Sequence, residues 1–348
     1  MPSLITHRRM LLSSWKENCS PKKLEHRIIS PGISFKFKLG IMAKGTHSYV
    51  EDQRNENIII YINGEFFPRN EAKISVFDSG FLLGDGVWEG IRLHNGKLCF
   101  IEEHIQRLYH GAGKLKIKIG KSENELITLL YETLKVNEMY TDIHIRLIVS
   151  RGLKRTPYQH PNANVGGASI VIIPEYKKAD SSLLSKGIRL CLVDTIRGSQ
   201  NSQDPRLNTL SKLNCIFGCL EADEKGFDEG IMLDINGFVS TCNSTNFFIV
   251  KNGEVWTSTG EFCLPGITRG NIIKLCKENT ISVFEKKFDM EDIYSADEVF
   301  VTGTFAGVIP AVAIDDTTIG NGNCGLLTEK LYHLYKSKIA TLYPGEQN

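Results

Sequence analysis

Two hydrophobic periods alternate along the chain from Asn57 onward, and each change of period marks an element. Ile58–Ile62, then Asn63-Gly64, then Glu65–Pro68 predicts a β-hairpin, because paired strands favour a type I′ turn whose two central residues take positive φ. Asn95-Gly96, Asn236-Gly237 and Asn252-Gly253 repeat the signal. Ile101, Ile105, Leu108, Ala112 and Leu115 recur three or four apart and predict a helix, as does Leu126–Val136. Ile143, Ile145, Leu147 and Val149 alternate strictly, so that strand presents His144, Arg146 and Ser150 on its other face. After the apolar strand Ala168–Ile173 comes a polar stretch, Pro174–Ser182. Beyond it the pattern predicts strand Ile188–Val193, a helix from Thr209 to Lys225, hairpin strands up to Val250, helix Thr268–Glu278, strand Val299–Val301 and helix Leu326–Ile339. Hairpins and helices on both sides of a polar connector predict an α+β chain of two domains, 45–175 and 185–348, joined by a linker at 176–184 and meeting at a cleft.

Composition adds one division to that picture. The 348 residues carry a formal charge of +1, but residues 1–44 hold nine basic and two acidic side chains, which leaves the body acidic. That arm reads either as an organelle-targeting segment or as a solvated extension before an internal start near Met42. A near-neutral total gives no reason to expect nucleic acid, and no apolar run approaches the roughly 20 residues that cross a membrane. Nine cysteines without a C-x-x-C pair argue against a disulfide framework and a zinc site. They fit a reducing compartment: the cytoplasm, or the mitochondrion if 1–44 is a transit segment. Cys215 and Cys219, four apart in a helical pattern, read as buried packing.

Several familiar chemistries have no foothold. Gly84-Asp85-Gly86 followed by Gly90 has the wrong spacing and no βαβ context for a dinucleotide loop. The nine histidines are dispersed, so no metal is expected, and no serine stands in a G-x-S-x-G elbow. Two pieces do suit an anion. Leu264-Pro265-Gly266-Ile267-Thr268-Arg269 delivers the chain into a helix whose first amides lack partners, and Val301-Thr302-Gly303-Thr304 ends a strand in small and hydroxyl residues. Arg107 is a candidate counter-charge. Taken singly, each is equally an N-cap, a turn or a surface charge.

Their order and wording go further. Val76–Arg92, Glu103–Leu115, Asp228–Phe248, Leu264–Arg269 and Phe300–Pro310 together resemble the class IV, fold-type IV pyridoxal-phosphate aminotransferases, which include branched-chain aminotransferases, D-amino acid aminotransferases and aminodeoxychorismate lyases. The resemblance runs from about residue 57 to 340 and leaves out the arm. It implies a transaminase with pyridoxal 5′-phosphate held as a lysine Schiff base, working on a small amino acid and a 2-oxo acid, in a homodimer. It also implies a phosphate cup from Arg107, Gly266, Ile267, Thr268, Gly303 and Thr304, with Phe305 near the substrate carboxylate and Trp88 as an aromatic wall.

Two positions depart from the family. Counting back from Glu221-Ala222 by the family spacing lands the lysine on Leu207 or Asn208; the nearest lysine is Lys212, which a helix would place about 5.4 Å further along on nearly the same face, so that either its arm covers one turn or the helix starts one turn later. Lys212 is therefore the expected catalytic residue, the alternative being a solvated lysine and a site without a nucleophile. Where the family sets a glutamate against the pyridine nitrogen, this chain has Thr241, whose hydroxyl does not favour the protonated ring. On the substrate side, Arg146 resembles the branched-chain enzymes, and His144 stands where they carry tyrosine. Arg155–Pro161 lacks the Arg-x-His pair of the D-amino acid enzymes, with Thr156 and Tyr158 in those places. The expected donor is a branched-chain L-amino acid with 2-oxoglutarate as acceptor; the alternatives are a D-amino acid aminotransferase, a lyase of the aminodeoxychorismate type, or a silent cofactor-binding protein.

Overall fold

The computed structural model of the chain describes residues 45–345, so the reading of 1–44 lies outside the described residues. The first sheet starts with the hairpin of β1 (Ile59–Ile62) and β2 (Glu65–Pro68), whose turn residues Asn63 and Gly64 have φ of 52° and 108°. Asn95-Gly96 and Asn252-Gly253 have the same positive pair. After α1 (Ser79–Leu83) come β3 (Gly86–His94) and β4 (Lys97–Leu98), then α2 (Ile101–Lys114) and α3 (Glu123–Val136). The capping box Ser122–Glu125 starts α3 one turn before its apolar run. β5 (Ile143–Ser150), the ribbon β6 (Leu153–Lys154) with β7 (Asn164–Val165), and β8 (Ser169–Tyr176) complete this half. The sheet order is β2-β1-β8-β5-β3-β4, antiparallel throughout. Ile143, Ile145, Leu147 and Val149 are fully buried against α2 and α3, which turns His144 and Arg146 to the opposite face.

The second sheet contains β9 (Ile188–Leu192), β10 (Glu229–Leu233), β11 (Val239–Cys242), β12 (Asn246–Lys251), β13 (Glu254–Thr257), β14 (Val283–Glu285), β15 (Glu298–Gly303) and β16 (Gly307–Ile314), with β17 (Thr317–Thr318) paired to β16. Its order is β11-β10-β9-β16-β15-β12-β13-β14. The helices of this half are α4 (Leu183–Lys186), α5 (Leu213–Glu224), α6 (Ile267–Glu278), α7 (Met290–Tyr294) and α8 (Leu326–Leu342). Phe248, Phe300, Ile272 and Leu331 form one core under α6 and α8, and Phe247, Phe288, Val301 and Ile309 another. Two sheets with separate cores give the α+β, two-domain architecture that the pattern implies. No helix among the described residues is long and apolar enough to cross a membrane.

Three local readings are corrected. Asn236-Gly237 does not form a type I′ turn: Asp234 accepts the Asn236 and Phe238 amides on its carboxylate and the Gly237 amide on its carbonyl, which builds a longer loop. Strand β8 runs through Tyr176, so the polar connector begins three residues later than Pro174. Cys215 is half-buried and Cys219 exposed, because α5 packs through Gly218 and Ala222 instead; a Cβ on Gly230 would stand 2.8 Å from the Gly218 carbonyl oxygen.

Candidate active site

A cavity of about 120 Å³ lies between the two sheets. One wall is built for an anion. Helix α6 starts after Gly266 (φ −63°, ψ 136°) with no side-chain cap, so its first amides and the positive end of its dipole face the cavity unspent. Glycine is required there by space, since a Cβ would stand 2.0 Å from Asn246 Oδ1. Asn246 in turn donates from Nδ2 to the Leu264 carbonyl at 3.0 Å and clamps the turn. Thr268, Gly303 and Thr304 line the same wall, and Thr302 Oγ1 is buried beside them without a hydrogen-bond partner. Gly266→Ala should push the helix start off Asn246 and weaken binding of inorganic phosphate about tenfold, the loss of roughly one charge-assisted hydrogen bond, as read by calorimetry.

Arg107 reaches this wall from α2. Its Nη1 donates to the Pro265 carbonyl at 2.9 Å, and Nε and Nη2 donate to Glu89 at 2.8 and 2.7 Å. Glu89 is fully buried and also accepts from His104 Nδ1 at 2.7 Å. Burial opposes a charge on Glu89, yet Arg107 and His104 hold its carboxyl below the usual range. Burial pushes the His104 imidazole down, so it stays neutral with its proton directed at Glu89. The guanidinium is thereby oriented across the gap between the sheets.

The opposite wall carries Trp88, His144, Arg146 and Phe305. Register brings Arg146 beside Gly90 and His144 beside Arg92. Arg146 Cζ stacks 3.7 Å from the Trp88 ring centroid and makes no hydrogen bond or ion pair among the described residues. His144 meets Phe305 edge-on at 5.7 Å. Sequence reading thus collects Arg107, Gly266, Ile267, Thr268, Gly303 and Thr304 on one wall, and Trp88, His144, Arg146 and Phe305 on the other.

Two expected residues are placed differently. Lys212 is not one helical turn from Asn208: α5 begins at Leu213 with Lys212 as its N-cap residue (φ −110°, ψ 11°), and Asn208 lies before the helix, in an irregular stretch. Thr209 bridges Val87, Trp88 N–H donates to the Asn208 carbonyl at 3.0 Å, and Leu210 N–H to the Gly86 carbonyl at 2.9 Å. Asn208 therefore lines the cavity, while Lys212 lines an adjoining cleft and reaches back until its Nζ is 5.4 Å from the Trp88 centroid. Burial, offset in part by Cys215 and reinforced by Arg197, Arg107 and Arg146, lowers its pKa to about 8. Thr241 lies outside the cavity lining. Its hydroxyl donates to the Thr245 carbonyl at 2.6 Å, and Ser244, Thr245 and Asn246 line the cavity in its stead. The nearest carboxylate behind them is Glu229, which accepts from Thr245 Oγ1 at 2.8 Å.

Glu89, Thr46 and His47 are residues at the candidate site that the pattern did not single out, while Asn208, where the family spacing lands, lines the cavity. Glu89 had a signal: it interrupts the buried alternation Val87, Ile91, Leu93 with a charge, which a buried strand face tolerates only when the charge is paired.

An anion cradle at a helix start, facing an aromatic wall with an unpaired guanidinium across a cleft between two α+β domains, defines a class of protein that handles small anionic substrates. Comparison with known proteins narrows the class. Residues 86–314 match the family described as amino-transferase class IV. The chain is 39% identical over 278 residues to a putative branched-chain-amino-acid aminotransferase of Methanocaldococcus jannaschii, covering 80% of this chain and 95% of that one. It is 36% identical over 284 residues to branched-chain-amino-acid aminotransferase-like protein 2 of Arabidopsis thaliana, and spans 50% of that longer protein. The crystal structure of the Escherichia coli branched-chain amino acid aminotransferase superposes with a TM-score of 0.76 at 29% identity, over 81% of this chain and 94% of that one. A further branched-chain amino acid aminotransferase, solved with pyridoxamine 5′-phosphate, superposes with a TM-score of 0.77 at 28% identity, over 83% of this chain and 96% of that one. The chain belongs to the class IV aminotransferase family.

Proposed function

We propose that this protein transfers an amino group between a small L-amino acid of the branched-chain type and 2-oxoglutarate, with pyridoxal 5′-phosphate as cofactor. The observation that carries the reading is the convergence of Arg107, the start of α6 and Thr304 on one wall, opposite an unpaired Arg146. The phosphate end of the cofactor fits this chain: α6 amides, the Thr268 and Thr304 hydroxyls and the Arg107 guanidinium would hold it. When bound, the cofactor supplies an electron sink for breaking bonds at the substrate Cα. The protein's part is to orient the substrate's α-carboxylate on the backbone amides of Thr304 and Phe305, to receive a side-chain carboxylate at Arg146, and to move the Cα proton through the Lys212 amine. The relatives' names support a branched-chain substrate.

Lys212 is the amine of this reading, and treatment with the cofactor followed by borohydride and peptide mapping tests it. Label on Lys212 supports the reading; label on another lysine removes Lys212 from the role. A second reading, noncovalent holding of the cofactor, is favoured by Asn208, whose Nδ2 donates to the Trp88 carbonyl at 2.7 Å and whose Oδ1 is buried without a partner on the cavity wall. Absence of any reducible link together with cofactor binding selects it.

The active assembly in this reading is a homodimer. Leu213, Ile216, Phe217 and Leu220 expose about half or more of their surface along one face of α5, and Phe77, Phe81 and Leu83 are exposed in the adjoining segment, where Gly84 packs on Ser211. A second copy of the chain covering this face accounts for an apolar stripe of that kind. Phe217→Asp is expected to shift the protein from dimer to monomer in light scattering while its circular dichroism is unchanged. The eight free cysteines among the described residues suit a reducing compartment, and we place the protein in the cytoplasm.

A further inference from the structure

The cavity has two residues from outside the family match, and they come from the segment just after the basic arm. Gly45–His47 forms a 3₁₀ turn, with Thr46 and His47 both lining the cavity. The turn is anchored at several points. Thr46 Oγ1 donates to the buried Glu229, and the Gly45 φ of +60° brings the backbone so near β10 that a Cβ would stand 2.9 Å from Asp228 Cβ. Tyr49 then bridges Ala179 in the interdomain connector. The His47 ring lies parallel to Phe305, centroids 6.1 Å apart, and no ring nitrogen has a hydrogen-bond partner among the described residues.

Lys177 is not in the cavity lining and lies beside two aromatic rings, one of them the lining Phe305. Its Nζ lies 4.8 Å from the Phe305 centroid and 4.3 Å from Tyr49, also without a hydrogen bond among the described residues. The charged groups facing this corner are Arg92, Arg146 and Lys177, opposed by Glu175 and by Asp142, which is 3.7 Å from Arg92. Burial and its cationic neighbours hold Lys177 below the usual lysine value. The Arg146 charge is one of those that hold Lys177 down, and neither side chain has a hydrogen-bonded partner among the described residues, so an anion between them would stabilise both.

We infer that His47 and Lys177 determine substrate specificity: with Arg146 they hold the second carboxylate of a dicarboxylic amino acid or 2-oxo acid beside the Phe305 ring. Arg146 carries the guanidinium that the family resemblance implies; His47 and the segment that fixes it are this chain's addition. The inference rests on the cavity being the amino-acid site of the proposed function, and it concerns which side chain the site prefers. The neutral imidazole offers one N–H to a carboxylate, and the Phe305 face keeps it at a fixed tilt.

The test is calorimetry on the full-length protein with pyridoxal 5′-phosphate present, titrated with glutarate and, separately, with 4-methylpentanoate. His47→Ala and Lys177→Met are each expected to weaken glutarate about tenfold, as for loss of one hydrogen bond to a charged group, and to leave 4-methylpentanoate within about twofold. Gly45→Val, which displaces the turn from Asp228, should reproduce the His47→Ala result, and His47→Gln, which retains a donor, should recover most of the glutarate affinity. Equal weakening of both ligands in His47→Ala, or unchanged glutarate binding in both variants, overturns the inference. The same titrations on Lys212→Ala separate this outcome from the covalent reading, since the glutarate preference does not depend on that amine.

Discussion

Lys212→Ala is expected to abolish borohydride-fixed cofactor label, which the unaltered protein takes up at about one equivalent per chain. Phosphate binding should survive, because the α6 amides, Thr268, Thr304 and Arg107 all remain in place. The pH dependence has a definite sign. An amine attacks only when neutral, and the folded pKa of about 8 lies below the ordinary 10.5. Labelling should rise steeply as pH increases through 8 and level off well before 10. A midpoint near 10.5 would mean that Lys212 is solvated and unperturbed. Asn208→Lys provides the counter-experiment: an amine placed directly on the cavity wall should acquire label of its own, and should compete with Lys212 for it. Failure of both residues to take label, with phosphate still bound, would leave the noncovalent reading.

Glu89→Ala should be the most damaging single substitution to stability. It strips a fully buried carboxylate from between Arg107 and His104, leaving a guanidinium with 13% exposure and an imidazole N–H unpaired. Removing one member of a buried ion pair costs on the order of 3–5 kcal/mol, which urea denaturation will register directly. Phosphate affinity should fall with it, since Glu89 is what aims Arg107 at the turn before α6. The linkage to pH follows from the depressed carboxyl. The folded pKa of Glu89 lies below the ordinary 4.5, so its contribution is complete above that value and fades as pH falls through the folded pKa. The Glu89→Ala protein should accordingly lose less stability between pH 5 and pH 3 than the unaltered one.

Much of the site was legible because its parts are local. The turn Leu264–Arg269 and the strand end Val301–Thr304 each declare unpaired amides within six residues, and the strict alternation around His144 and Arg146 puts both on one strand face. What the pattern left out also shares a cause. Helical periodicity in Thr209–Lys225 does not show that β3 captures the first part of that run: Trp88 N–H bonds the Asn208 carbonyl and Leu210 N–H the Gly86 carbonyl, so 208–210 pair with β3 and the helix starts only at Leu213. Nor does the local pattern show that the Thr241 hydroxyl is taken by the Thr245 carbonyl four residues on. His47 lies near the junction with the basic arm, about forty residues before the matched family region begins, and no local pattern marks it.

By itself the sequence determined the α+β class, the hairpin turns at 63–64, 95–96 and 252–253, the buried faces of β5, α2 and α3, and the residue types of the anion cradle. Those features follow from backbone sterics and the burial of apolar faces, which act over a few residues. Tertiary structure alone decided that Glu89 would orient Arg107, that Asn208 and not Lys212 would line the cavity, and that residues 45–49 would reach the Phe305 wall. Each of those outcomes depends on a pairing between segments from about fifteen to more than two hundred and fifty residues apart, and the free energy of such contacts is not visible in either segment alone.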